Sequence, residues 1–124
     1  MDFSRRRLLL VEDNAISMEI AKEILSRMGF EIETAENGQI ALDVVSKSSP
    51  DHYDAVLDGY AATRAIRSLK DRKLADIPIL AMTANAFKED EEAAMEAGMN
   101  GHIAKPIDIQ DLTDKLKSAM KTRE

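Results

Sequence analysis

The stretch Leu8-Leu9-Leu10-Val11-Glu12-Asp13-Asn14 decides the fold. Its four consecutive apolar residues show no polar alternation, the mark of a strand covered on both faces. Two acids then stop the run, and Asn14 stands where a helix N-cap belongs. Residues 15–28 continue with Ile16, Ile20, Ile24, Leu25 and Met28 at helical spacing, and Gly29 supplies a C-terminal stop.

The same unit recurs along the chain. Residues 30–34 alternate as a second, more exposed strand, and Asn37-Gly38 turns into a helix carrying Ile40, Ala41, Val44 and Val45. Residues 53–57 read as a third strand and 60–69 as a helix. Residues 77–82 read as a fourth strand, with Pro78 tolerated near its start. A charged helix over 86–97 stops at Gly98, and a short fifth strand covers 101–104. Asp108 caps a last helix with Ile109, Leu112, Leu116 and Met120 as its apolar positions. Strand–helix units in this order predict a parallel sheet with helices on both faces.

Composition narrows the function classes. A chain of 124 residues with 44% hydrophobic and 32% charged residues fits one globular domain and no second core. The net charge of -6 argues against non-specific nucleic-acid binding, which needs a basic face. The absence of cysteine excludes a disulfide scaffold and thiolate metal sites, and fits a reducing compartment. Ser4-Arg5-Arg6-Arg7-Leu8-Leu9-Leu10 looks superficially like a twin-arginine export signal, but its apolar stretch is too short for a signal core. No apolar run approaches the length of a membrane span.

Open parallel sheets collect ligands at the carboxyl ends of their strands. The residues there are Glu12 and Asp13 after strand one, Asp58 after strand three, Thr83 after strand four and Lys105-Pro106 after strand five. Carboxylates offer hard oxygens to Mg²⁺, and a hydroxyl and an ammonium suit phosphoryl oxygens. No glycine-rich nucleotide cradle and no Ser/His/Asp or Cys/His nucleophile set is present. His52 and His102 lack a metal-ligand spacing.

These positions resemble the receiver domain of two-component response regulators, most of all receivers of hybrid sensor histidine kinases. The matching stretches are Leu9-Leu10-Val11-Glu12-Asp13-Asn14, Ala35-Glu36-Asn37-Gly38, Asp58-Gly59-Tyr60, Ala81-Met82-Thr83-Ala84-Asn85-Ala86, Glu96-Ala97-Gly98-Met99-Asn100-Gly101 and Ile103-Ala104-Lys105-Pro106-Ile107-Asp108. Each is weak alone, and together they run in order over nearly the whole chain. The resemblance implies a flavodoxin-like α/β fold: a doubly wound, five-stranded parallel sheet of order 2-1-3-4-5 with five helices. It implies a single receiver domain over 1–124, with a core of about 6–120. It further implies a cytoplasmic signalling domain rather than an enzyme, although a parent hybrid chain could be a histidine kinase.

The implied chemistry is phosphoryl transfer from a phosphohistidine, on a histidine kinase or histidine phosphotransfer domain, to an aspartate. By position, Glu12 and Asp13 would hold Mg²⁺, Thr83 would hydrogen-bond the phosphoryl group and Lys105 would pair with it. Lys105-Pro106 would be a cis peptide, and His102 stands where the family usually has an aromatic switch residue. The partner would dock near helix one, with Ile16, Ser17 and Ile20 as candidate contacts. No nucleic-acid or membrane contact is implied for the domain.

One departure matters. The family carries its phosphoaccepting Asp and a Met-Pro loop between strand three and the Asp-Gly that opens the next helix. Here Leu57 meets Asp58-Gly59 directly. Taking Asp58 as the helix-start Asp, its N-cap, needs one gap and leaves the phosphoaccepting Asp missing together with the Met-Pro loop; taking it as the phosphoacceptor needs two gaps, so parsimony favours the first. Three explanations stay open: residues missing from the recorded sequence, a true deletion, or recruitment of Asp58 as acceptor. A true deletion makes the chain a pseudo-receiver that signals by binding alone, and a shortened hinge favours a domain-swapped or homodimeric form. A Mg²⁺-dependent phosphatase is disfavoured, because no Asp-x-Asp pair follows strand one.

Overall fold

The computed structural model describes residues 6–49, 52–58, 62–83, 92, 95, 96, 98–104 and 109–121, with the backbone alone described for Lys73, Thr83, His102, Ala104, Ile109, Met120 and Lys121. Strands β1 (Arg7–Val11), β2 (Glu31–Ala35), β3 (Ala55–Asp58), β4 (Ile79–Thr83) and β5 (Gly101–Ala104) form one parallel sheet in the order β2-β1-β3-β4-β5. Among the described residues the helices given bounds are α1 (Ala15–Arg27), α2 (Gly38–Lys47), α3 (Thr63–Arg67), α4 (Arg72–Ala75) and α5 (Ile109–Lys121). The chain reverses direction across the sheet at β1, because β2 lies on one side of it and β3 on the other. That switch opens the crevice in which α/β sheets bind ligands.

The apolar run of β1 serves two cores at once. Leu8 and Leu10 pack with Leu57, Leu80, Ile103 and residues of α1 and α5, including Leu25, Leu112 and Leu116. Leu9 and Val11 pack on the other face with Val56, Ile79, Ala41, Val45 and Ile66. Alternate strand residues point to opposite faces, so a strand buried on both sides must be apolar throughout.

The caps stand where local chemistry places them. Asn14 Oδ1 accepts from Ser17 N at 3.0 Å and Asn37 Oδ1 from Ile40 N at 2.9 Å, each satisfying a first-turn donor. Gly29 follows α1 with φ 105°, a left-handed conformation that costs glycine little.

Four expectations need correction. The helix expected over 60–69 ends at Arg67, where Ser68 closes it, and an unexpected single-turn helix α4 follows. Asp58 is the last residue of β3, not the first residue beyond it. Ile16 and Ile20 share helical spacing with Ile24 and Leu25 but are 73% and 55% exposed, because α1 turns Ala21 and Leu25 inward instead. Ile40, expected on the apolar face of α2, is 40% exposed, while Ala41 and Val45 are buried. Most of the helix expected over 86–97, and Asp108, lie outside the described residues.

Candidate functional site

At the carboxyl end of β1, the Glu12 amide extends the sheet by donating to Ala35 O at 3.1 Å. The Glu12 side chain is half-buried and its Oε1 accepts from Asn14 N at 3.1 Å, which ties it to the turn into α1. Asp13 follows, exposed. The two carboxylates lie at the amino end of a helix, where partial positive charge favours acids.

β3 brings its carboxyl end alongside. Leu10 pairs with Leu57, so the acids after Val11 lie one strand from Asp58, which in turn pairs with Ala81 of β4. Asp58 is fully buried. Its Oδ2 accepts from Ala62 N at 2.9 Å, Thr63 N at 3.1 Å and Thr63 Oγ1 at 2.9 Å. The carboxylate therefore binds the first donors of α3 from inside the sheet. Its Oδ1 is buried without a hydrogen-bond partner, an uncommon state for a buried polar atom.

The backbone of Thr83 ends β4 and pairs with Ala104 at the end of β5. Strand register thus brings Glu12, Asp13, Asp58 and the Thr83 backbone to one edge of the sheet. Lys105, and with it the Lys105-Pro106 bond, lies outside the described residues. Among the described residues, no group of three or more His, Cys, Asp or Glu side chains is arranged to hold a metal. Glu12 and Asp13 still suit Mg²⁺ chemically: they supply hard oxygens, and this ion keeps several waters and takes one or two carboxylates.

Sequence reasoning missed two residues that shape this site. Thr63, buried at the start of α3, holds Asp58. Arg67, at the end of α3, binds four oxygens outside that helix. The only available signal for Thr63 was a hydroxyl residue five positions after an aspartate at a helix start. Arg67 gave no signal, since its partners come from distant segments.

A second polar cluster sits at the opposite, amino end of the sheet. Arg7 reaches His52 Nδ1 at 2.9 Å and Glu31 Oε2 at 2.9 Å. His52 Nε2 lies 2.8 Å from Glu33 Oε2, and Tyr53 donates its hydroxyl to Glu33 Oε1 at 3.1 Å. Burial, helped by the hydrogen bond and charge of Glu33, pushes the Tyr53 phenol up to about 12. This cluster ties β1, β2 and the entry to β3 together, and explains His52 without a metal.

Comparison with known proteins agrees with this architecture. Residues 8–117 match the model of the response regulator receiver domain. The chain is 34% identical to hybrid signal transduction histidine kinase L of Dictyostelium discoideum over 120 residues, covering 90% of this chain and 7% of that kinase. It is 32% identical to the polar-differentiation response regulator DivK of Brucella anthropi, covering 91% of this chain and 94% of DivK. The receiver domain of a sensor histidine kinase from Pseudomonas aeruginosa superimposes with a TM-score of 0.79 at 32% identity, over 94% of this chain and 98% of that one. That structure has a magnesium ion coordinated in its active site cleft. Sheet order, the acids at the switch point and these matches together establish that the chain belongs to the response regulator receiver domain family.

Proposed function

We propose that this chain is the receiver module of a phosphorelay, a single cytoplasmic domain over 1–124 that exchanges its signal with a histidine kinase or histidine phosphotransfer domain. The observation that carries this reading is the acid pair Glu12 and Asp13 at the switch point, one strand from the buried carboxylate of Asp58. Support for a docking face comes from Ile16 and Ile20, which leave an apolar ridge of α1 open next to that site. The magnesium in the Pseudomonas receiver supports the same ion here.

Glu12 and Asp13 would hold Mg²⁺. When bound, the ion neutralises charge on the phosphoryl oxygens. Thr83 would donate to one of those oxygens and Lys105 would pair with another. The phosphoryl group leaves a phosphohistidine: the P–N bond breaks, the imidazole keeps the electron pair and takes up a proton, and a P–O bond forms on a carboxylate. On β3 the carboxylate present is Asp58, which the sequence reads first as the residue that opens the next helix and second as acceptor. Its Oδ1 is the oxygen without a partner, because Oδ2 is held by three donors.

The burial of Asp58 and the three hydrogen bonds to its Oδ2 favour a second reading, a receiver-shaped interaction module that accepts no phosphoryl group. Acetyl phosphate with Mg²⁺, followed by intact mass measurement, separates the two. Gain of one phosphoryl group, lost in Asp58→Asn, supports acceptance. No gain, together with unmoved Thr83 and Lys105 amide resonances in beryllofluoride and Mg²⁺, overturns it and leaves the interaction module.

A further inference from the structure

Helix α3 spans only five residues, Thr63–Arg67, yet polar side chains tie it at both ends, a buried Asp58 at its start and a half-buried Arg67 at its end. At its start, Asp58 Oδ2 takes the Ala62 and Thr63 amides and the Thr63 hydroxyl. At its end, the Arg67 guanidinium donates to Gly98 O at 2.7 Å, Ala75 O at 2.6 Å, Ile77 O at 2.6 Å and Asn100 Oδ1 at 2.8 Å. All four acceptors are neutral. Burial accordingly pulls the proton affinity of Arg67 below its ordinary value, against the favourable charge of Asp76.

The turn that receives Arg67 is built around it. Gly98 has φ 99°, and a Cβ there would lie 3.1 Å from Arg67 Cγ. Gly98 N donates to Met95 O at 3.1 Å, which closes the helical residues before it. Two residues on, Asn100 N donates to Ile79 O at 2.7 Å and Asn100 Oδ1 accepts from Ile79 N at 2.9 Å. β5 begins at the next residue. The turn between the 95–96 helical segment and β5 is therefore held by Arg67 on one side and by β4 on the other.

We propose that α3 is a strut that couples the state of the Asp58 carboxylate to the Gly98–Asn100 turn, with Arg67 as its positioning residue. A helix of under two turns bonded at both ends has little slack. A change in the charge or bonding of Asp58 that shifts the first turn of α3 displaces Arg67, and with it the entry to β5. Hydrogen-bond networks and rigid secondary elements are among the carriers of such coupling. The proposal holds whether Asp58 accepts a phosphoryl group or only anchors α3, so it stands apart from the phosphotransfer test.

Amide NMR spectra of the full chain test it. In Asp58→Asn the Gly98, Met99 and Asn100 resonances are expected to move, while Phe30 and Glu31, at the amino end of the edge strand β2 and away from the site, stay in place. In an Arg67→Lys background, which keeps the charge but not the forked donors, the same substitution is expected to leave Gly98, Met99 and Asn100 unmoved. Unmoved resonances in the first case, or equal shifts in both, overturn the proposal. Hydrogen exchange of Asp58→Asn alone gives a reading that does not need the Arg67 variant to fold. The Thr63 and Asn100 amides should accelerate together, by a larger factor than Leu57 in the central sheet, which reports global opening. Acceleration at Thr63 without Asn100 overturns the strut.

Discussion

Replacing Asp58 by alanine should destabilise the domain by about 2–4 kcal/mol. The Asp58 carboxylate satisfies two backbone amides and one hydroxyl, and the residues bearing them, Ala62 and Thr63, are themselves buried. Each buried donor left without a partner costs about 1–3 kcal/mol. The Thr63 hydroxyl can rotate to a backbone carbonyl, as helical threonines do, so two amides carry the loss. Against this, alanine removes a buried carboxylate oxygen that has no hydrogen bond, which returns part of a desolvation cost. Asp58→Asn keeps one oxygen for all three donors and gives up charge assistance, so it should cost no more than about 1 kcal/mol. Urea unfolding followed by circular dichroism, with unchanged m-values, measures both. A carboxylate kept free for chemistry beside two other acids predicts the opposite sign, since its removal relieves like-charge repulsion. Asp58→Ala within about 0.5 kcal/mol of wild type, the usual range for a surface change, or more stable than wild type, would falsify the anchoring described above.

The remaining predictions draw on other parts of the molecule. Mg²⁺ should raise the melting temperature of the wild-type chain, by the equivalent of about 2.7 kcal/mol at a hundredfold excess over its Kd; the Glu12→Gln, Asp13→Asn double variant should lose that shift, and a retained shift places the ion elsewhere. Gly98→Ala should cost about 1–2 kcal/mol from the left-handed backbone alone, with Arg67 displaced as well; a neutral effect in urea unfolding contradicts the close approach. Tyr53 should ionise near pH 12 in the folded chain, against 10.0 for the ordinary phenol. Because the folded value is raised, the stability it contributes is complete below pH 10.0 and is lost as the pH rises towards about 12; Tyr53→Phe should show a smaller loss over that window. Leu25→Ala should cost about 2–5 kcal/mol as a core truncation, whereas Ile20→Ala should stay within about 0.5 kcal/mol, and comparable losses for the two would contradict the orientation of α1.

Local chemistry in the sequence determined most of the elements, though not the end of α3 or the single turn of α4. Four apolar residues in a row meant a strand buried on both faces, and β1 feeds both cores. Asn14 was legible as a cap because a capping side chain bonds an amide three residues away, whereas Asn37 read as a turn residue and the structure makes it the cap of α2. The acids at the end of β1 were legible for the same reason, since their place follows from the end of the strand. Helical spacing alone did not separate Ile20 from Leu25, because a stripe of isoleucines fits either an inward or an outward face until the helix is docked. A helix-start place for Asp58 was legible, but its burial and the role of Arg67 depended on tertiary structure. Arg67 finds Asn100 across 33 positions of sequence, and Asp58 lies in a central strand with the start of α3 bonded to its carboxylate. Periodicity records which residues share a face. Which polar group meets which partner depends on where the sheet brings distant segments together, so only the folded chain shows Asp58 holding α3 and α3 holding the entry to β5.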